Sequence, residues 1–159
     1  MTGTVKHDDH IVVWGGTAAH GVGNLYLVRG VLEQYQYHEI TRNQLAPSAR
    51  KLFSSRSWTF QEDSDPKHTA KSTKALYNQL HTLREEWPAS SPDLSPTENL
   101  WQYLDAMCKD RKCSTKEELL ALLQEAWERT PEDYLMSLVE SMPRRLSAAT
   151  DAKGCATKY

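Results

Sequence analysis

Two carboxylates and one imidazole are the groups of this sequence best placed to do chemistry: Asp63, Glu98 and His68. Asp63 closes an alternating run, Ser57-Trp58-Thr59-Phe60-Gln61-Glu62-Asp63, and Glu98 follows Ser95-Pro96-Thr97 at the opening of a helical pattern. Carboxylates at the ends of elements can hold hard divalent cations, which prefer oxygen ligands. Each also has an ordinary structural reading. Ser95-x-x-Glu98 has the form of a capping box, in which the carboxylate would satisfy the Ser95 backbone N–H. Asp63 could simply shape the turn that follows it, and Asp65 reads as a helix cap. His68 falls one turn into the next helix, where a lone histidine has an ordinary surface reading.

The elements that must position these groups follow from periodicity and turn residues. Ile11-Val12-Val13-Trp14 and Leu25-Tyr26-Leu27-Val28, with the Gly-rich His20-Gly21-Val22-Gly23-Asn24 between them, predict a two-stranded hairpin. Residues 31 to 53 show helical spacing that Pro47 should interrupt. The run to Asp63 has the period of a half-buried strand. Asp65-Pro66 then starts a helix expected to reach about Leu80. A short strand is expected over Leu83 to Trp87, ended by Pro88, with a Ser/Pro-rich loop before Ser95. The helix carrying Glu98 should bury Leu100, Trp101, Leu104 and Met107. Two more helices are expected, 115 to 129 and 131 to 150.

This order predicts a single α/β domain over residues 1–159, helices packed on a mixed sheet, with a helical C-terminal third. Its length suffices for one shared core. No apolar run approaches the roughly 18 residues needed to cross a bilayer, so no membrane partner is expected. Cys108, Cys113 and Cys155 form no paired pattern and are read as free thiols in a reducing compartment. Cys108 and Cys113 lack the two further ligands a tetrahedral zinc site needs. The net charge of −2 runs against strong autonomous DNA binding, which phosphate neutralisation drives. The small clusters Lys109/Arg111/Lys112 and Arg144/Arg145 could meet phosphate, with solvated helix ends as the default.

Two long motifs go further. Gln61-Glu62-Asp63-Ser64-Asp65-Pro66-Lys67-His68-Thr69-Ala70 and Trp87-Pro88-Ala89-Ser90-Ser91-Pro92-Asp93-Leu94-Ser95-Pro96-Thr97-Glu98-Asn99-Leu100-Trp101 resemble the mariner-type (Tc/mariner) transposases, and 34 residues separate Asp63 from Glu98, as in one large branch of that family. Similarity extends to Thr4-Val5-Lys6-His7, Val13-Trp14-Gly15, Met142-Pro143-Arg144-Arg145 and Ala156-Thr157-Lys158-Tyr159. Ser64, Ser95 and Thr97 depart from the residues usual there.

The resemblance implies a ribonuclease H-like catalytic (DDE endonuclease) domain in which three carboxylates hold two Mg²⁺ or Mn²⁺ ions for DNA cleavage and transfer. Asp63 would be the second ligand, Glu98 the third, and His68 an accessory group beside the site. The first Asp of the family lies on a strand upstream of the Thr4-Val5-Lys6-His7 segment. The expected fold is therefore truncated at its N-terminus, with the first, central strand absent, and Asp8 and Asp9 stand in the wrong motif to replace it. Closure of the sheet across the gap, or a strand donated by a partner or second copy, would follow. DNA binding should be weak or non-specific, and the setting nuclear. Two functions are implied: a DNA strand-transfer domain with impaired activity, or a non-enzymatic remnant that binds DNA or protein.

Overall fold

Alternation of side chains along one central strand divides the core into two halves. In the computed structural model, which describes residues 2–5, 11–63, 65–85, 87, 91–152 and 157, strand β2 (Ile11–Ala18) pairs antiparallel with β3 (Gly21–Val28). The hairpin runs longer than its two apolar runs alone predicted. A register shift between Gly15 and Thr17 marks a bulge that bends it. On the other edge of β2 lies a strand that was not anticipated, β1 (Thr2–Val5), antiparallel and in register from Thr2 opposite Trp14 to Val5 opposite Ile11.

Ile11 and Val13 point to one face of this sheet and Trp14 to the other, as a period of two requires. The first face is covered by α5 (Pro96–Lys109), α6 (Lys116–Glu128) and α7 (Glu132–Glu140) through Leu100, Leu104, Leu123, Trp127 and Leu135. The second face packs on α1 (Gln34–Ile40), α2 (Ala46–Phe53) and α4 (Lys71–Gln79) through Tyr37, Ile40 and Tyr77. Helix α8 (Met142–Asp151) completes the C-terminal region. The α/β expectation and the helical final third hold. The sheet is not one mixed sheet, because β4 (Thr59–Phe60) and β5 (Leu83–Arg84) form a separate parallel pair joined through α3 (Pro66–Thr69) and α4.

Several boundaries differ from the sequence reading, each for an identifiable reason. Pro47 does not break the helical stretch. A π-helical turn, Thr41–Leu45, precedes α2, and its wider winding accommodates the ring that would otherwise clash with the carbonyl four residues back. The helix expected over 66 to 80 divides at Ala70, whose ψ of 146° is extended. The last expected helix divides at Ser141, where Pro143 supplies no N–H to continue the ladder into α8. In α5 the buried stripe is Leu100, Leu104 and Cys108, at spacings of four, with Trp101 beside it, and Met107 is exposed. The strands at 57 to 63 and 83 to 87 shorten to two residues each, leaving Asp63 three positions beyond β4.

Trp127 joins the hairpin to the helices. Its indole N–H donates to the Gly23 carbonyl at 2.9 Å, and its ring stacks on Trp101 with centroids 5.4 Å apart. The ring edge lies against Gly15, where a Cβ would approach it to 2.7 Å. Held on two sides, the indole cannot give way. Gly15→Ala is expected to destabilise the fold by about 1–3 kcal/mol through overpacking, read as a lower urea midpoint with an unchanged slope; an unshifted midpoint would mean the ring is free to move.

Candidate functional site

The end of β4 is built around a buried carboxylate. The alternation that directs Trp58 and Phe60 inward also directs Glu62 inward, and Glu62 is 1% exposed. A buried charge is tolerated only when paired and hydrogen-bonded. Tyr37 of α1 donates its hydroxyl to Glu62 Oε2, and Tyr77 of α4 donates to Oε1 at 2.8 Å. Arg84 of β5 places Nε 2.9 Å from Oε1. The Nε–H is not aimed along a hydrogen-bond direction, so this contact is Coulombic. Burial, then the Glu62 charge, pushes the phenols of both Tyr37 and Tyr77 well above the usual range, so both stay protonated and able to donate. The two hydroxyls lie 2.8 Å apart, but each has a single proton and gives it to the carboxylate.

Asp63, the next residue, turns outward and its side chain is 59% exposed. Its Oδ1 accepts from the backbone N–H of Asp65 at 3.3 Å, so the turn-shaping role read from the sequence is real. The same oxygen lies 2.5 Å from Nδ1 of His68. His68 is not the helix-surface residue its position suggested. The four-residue α3 tucks it under the strand end, 3% exposed, with its ring 4.4 Å from that of Tyr37 and Nδ1 3.6 Å from Glu62 Oε2. The hydrogen bond from His68 holds the Asp63 carboxyl below its ordinary range.

Glu98 enters from the first turn of α5. The capping box expected there does not form. The Ser95 N–H donates to the Pro92 carbonyl at 2.8 Å, and no side-chain cap bond closes the helix start. A near relative of it forms at Thr115 instead, whose hydroxyl accepts from the Glu118 N–H while the Glu118 carboxylate accepts from the N–H of Ser114, one residue before the cap. The Glu98 carboxylate is thereby left without a hydrogen bond among the described residues. Burial, then the charge of Asp63, raises its pKa. The structure thus brings Asp63 and Glu98 within electrostatic reach of each other, with His68 behind Asp63.

Arg145 positions the Glu98 helix. It was a candidate for phosphate contact, but it is 3% exposed and donates to Ser141 Oγ at 2.7 Å, the Asp93 carbonyl at 2.9 Å and Asn99 Oδ1 at 2.6 Å. It therefore ties α8 to both sides of the α5 start. Sequence reasoning missed this role, although Ser141 and Arg145 stand at helical i, i+4 spacing. It also missed Glu62, for which the period of two was the available signal. Lys109, Arg111 and Lys112 are exposed, as solvated helix ends are. Cys108 and Cys113 are free thiols. Cys155, Asp8, Asp9, Ser64, residues 88–90 and most of the C-terminal motif lie outside the described residues. Among the described residues no group of three or more His, Cys, Asp or Glu is arranged to hold a metal ion.

Set beside known proteins, the chain matches no family model. It is 39% identical over 157 residues to the transposase of the transposable element Tcb1 from Caenorhabditis briggsae, and 34% identical over 157 residues to that of Tc1 from Caenorhabditis elegans. Each match takes in 98% of this chain and 57% of the relative, so the chain spans little more than half the length of these relatives. In fold it superposes on the catalytic domain of Mos1 mariner transposase with a TM-score of 0.88 at 15% identity, over 99% of this chain and 82% of that one. The fold is thus that of a ribonuclease H-like catalytic domain. The sequence belongs with the catalytic domains of Tc1/mariner transposases, corresponding to the C-terminal part of those proteins. The Mos1 catalytic domain has been solved with Mn and with Mg, and Mos1 in a strand transfer complex and in a paired-end complex with a transposon end.

The mutual influence of the two carboxylates is open to measurement. In Asp63→Asn the like charge facing Glu98 disappears, so the Glu98 carboxyl should titrate at lower pH than in the unmodified chain, followed by carboxyl ¹³C shifts. The sign for stability follows. A folded-state pKa raised above the unfolded one means more protons bound in the folded state, so this term favours folding as pH falls through that range. An unchanged Glu98 midpoint would show that the two groups do not sense each other.

Proposed function

We propose that this chain carries two of the three metal-binding carboxylates of a DNA strand-transfer site, Asp63 and Glu98. Together they would bind a divalent cation, Mg²⁺ or Mn²⁺. One observation carries the reading: Glu98 has no hydrogen bond among the described residues, and the charge of Asp63 is near enough to add to burial in raising its pKa. A cation between them would convert that repulsion into attraction.

The donor set fits such an ion. Both groups are hard oxygen donors open to solvent, and one of them, Asp63, is oriented from behind by a hydrogen bond, the arrangement that fixes ligating carboxylates. A divalent ion at such a site polarises phosphoryl oxygens and stabilises the entering and leaving oxygens of a displacement. The chain's own contribution is to hold the two carboxylates apart from other partners. His68 occupies one oxygen of Asp63, Arg145 and Asn99 fix the α5 start, and the lost capping box leaves Glu98 uncommitted.

The relatives' association with Mn, Mg and transposon ends supports the choice of ion and of DNA as the partner, and work on chromosomal DNA would be nuclear. The net charge of −2 argues that binding to DNA by this chain alone is weak. The same charge favours a second reading, a non-enzymatic module that binds protein or DNA.

Thermal melting separates them. Mn²⁺ at a hundredfold excess over its Kd should stabilise the chain by about 2.7 kcal/mol, and both Asp63→Asn and Glu98→Gln should lose that shift. No Mn²⁺ shift in the unmodified chain would leave the non-enzymatic reading. Plasmid nicking by the unmodified chain that Glu98→Gln abolishes would favour the strand-transfer reading.

A further inference from the structure

Glu62 is the most deeply buried carboxylate of the described residues, and the proposed chemistry gives it nothing to do. Its neighbours on the β4–β5 pair account for only part of its surroundings. Arg84 and Tyr77 satisfy Oε1, which explains how the short strand pair and α4 are held together. Oε2 faces elsewhere. It accepts from Tyr37 and lies 3.6 Å from His68 Nδ1, the same nitrogen that sits 2.5 Å from Asp63 Oδ1. The Tyr37 ring packs on the His68 ring at 4.4 Å, tilted by 34°.

The imidazole is thus clamped on one side by the tyrosine face, while its Nδ1 looks at a buried carboxylate within and an exposed one without. Just past β4, Glu62 turns inward and Asp63 outward, so their side chains face the interior and the solvent respectively. His68, arriving from α3, bridges the two faces.

We propose that Glu62 is the positioning residue for Asp63: with Tyr37 it fixes the His68 ring so that Nδ1 holds the Asp63 carboxylate in a single orientation towards Glu98. This rests on the metal-site reading for its purpose, but not for its geometry. Partners behind a ligand commonly govern metal affinity by tenfold or more. A carboxylate that served only to hold β4 to β5 would not act through His68.

The test uses the full chain and two readouts. Without metal, nuclear Overhauser contacts between the Tyr37 and His68 rings and the His68 Nδ1 shift report ring placement and the bond to Asp63. Glu62→Gln, nearly identical in shape, should weaken those contacts and move that shift while the rest of the spectrum stays folded. With Mn²⁺, Glu62→Gln and His68→Gln should each weaken binding about tenfold. The double variant should be no weaker than either single one, because both act through one path. Ring contacts and an Nδ1 shift unaltered in Glu62→Gln, or losses that multiply to about a hundredfold in the double variant, would overturn the proposal. If the unmodified chain binds no Mn²⁺ the metal-site reading fails, and the metal-free spectra alone decide whether Glu62 positions Asp63. Should Glu62→Gln not fold, the paired Glu62→Gln/Arg84→Gln keeps the interior's charge balance and is read the same way.

Discussion

Satisfying one buried carboxylate is the constraint on which the functional end of this molecule depends. The parallel pair β4–β5 has two residues in each strand, too few for its ladder to be stable alone. What fixes it is Glu62, which cannot lie in the interior unpaired and so gathers Tyr37 from α1, Tyr77 from α4 and Arg84 from β5. Removing one member of such a network leaves another charge uncompensated, so its parts are held together more firmly than their separate bonds suggest. The residue after Glu62 inherits that rigidity. Asp63 is exposed, yet it leaves the strand at a point that the interior has already fixed.

The second half of the site is positioned differently. Glu98 stands at the start of α5, whose stripe of Leu100, Leu104 and Cys108 is set into the core beneath the hairpin. Its N-terminal turn is tied by the Arg145 guanidinium to α8. These supports place two carboxylates within electrostatic reach of each other, and the charge of Asp63 adds to burial in raising the Glu98 pKa. Unfavourable charge pairs of this kind cluster where ions or substrates bind. The absence of a capping box at Ser95 leaves the Glu98 carboxylate without a backbone bond, as the proposed ligand role requires.

Much of this was legible in the sequence, and the failures share a physical origin. Alternation in Trp58 to Asp63 and helical spacing in α5 and α6 are local signals; they placed Glu98 in the first turn of its helix and Asp63 just past a strand that proved shorter than the alternation suggested. Convergence of the two came from motif and spacing resemblance, because no local rule links residues so far apart. The misreadings arose where tertiary packing overrode local preference. Pro47 is absorbed by a π turn, Cys108 displaces Met107 from the buried stripe, and Thr2–Val5 pairs with β2 although its sequence carries little strand signal. Charged residues were the hardest to read. His68 and Arg145 look like surface groups on any hydropathy scale, and both are buried because specific acceptors await them.

The proposal that Asp63 and Glu98 hold one divalent cation between them is tested most directly by anomalous diffraction from crystals grown with Mn²⁺. The expected result is one Mn²⁺ peak coordinated by oxygens of both side chains, with His68 still bonded to Asp63. Well-ordered Asp63 and Glu98 side chains with no peak between them, or a peak bound by other residues, would contradict it.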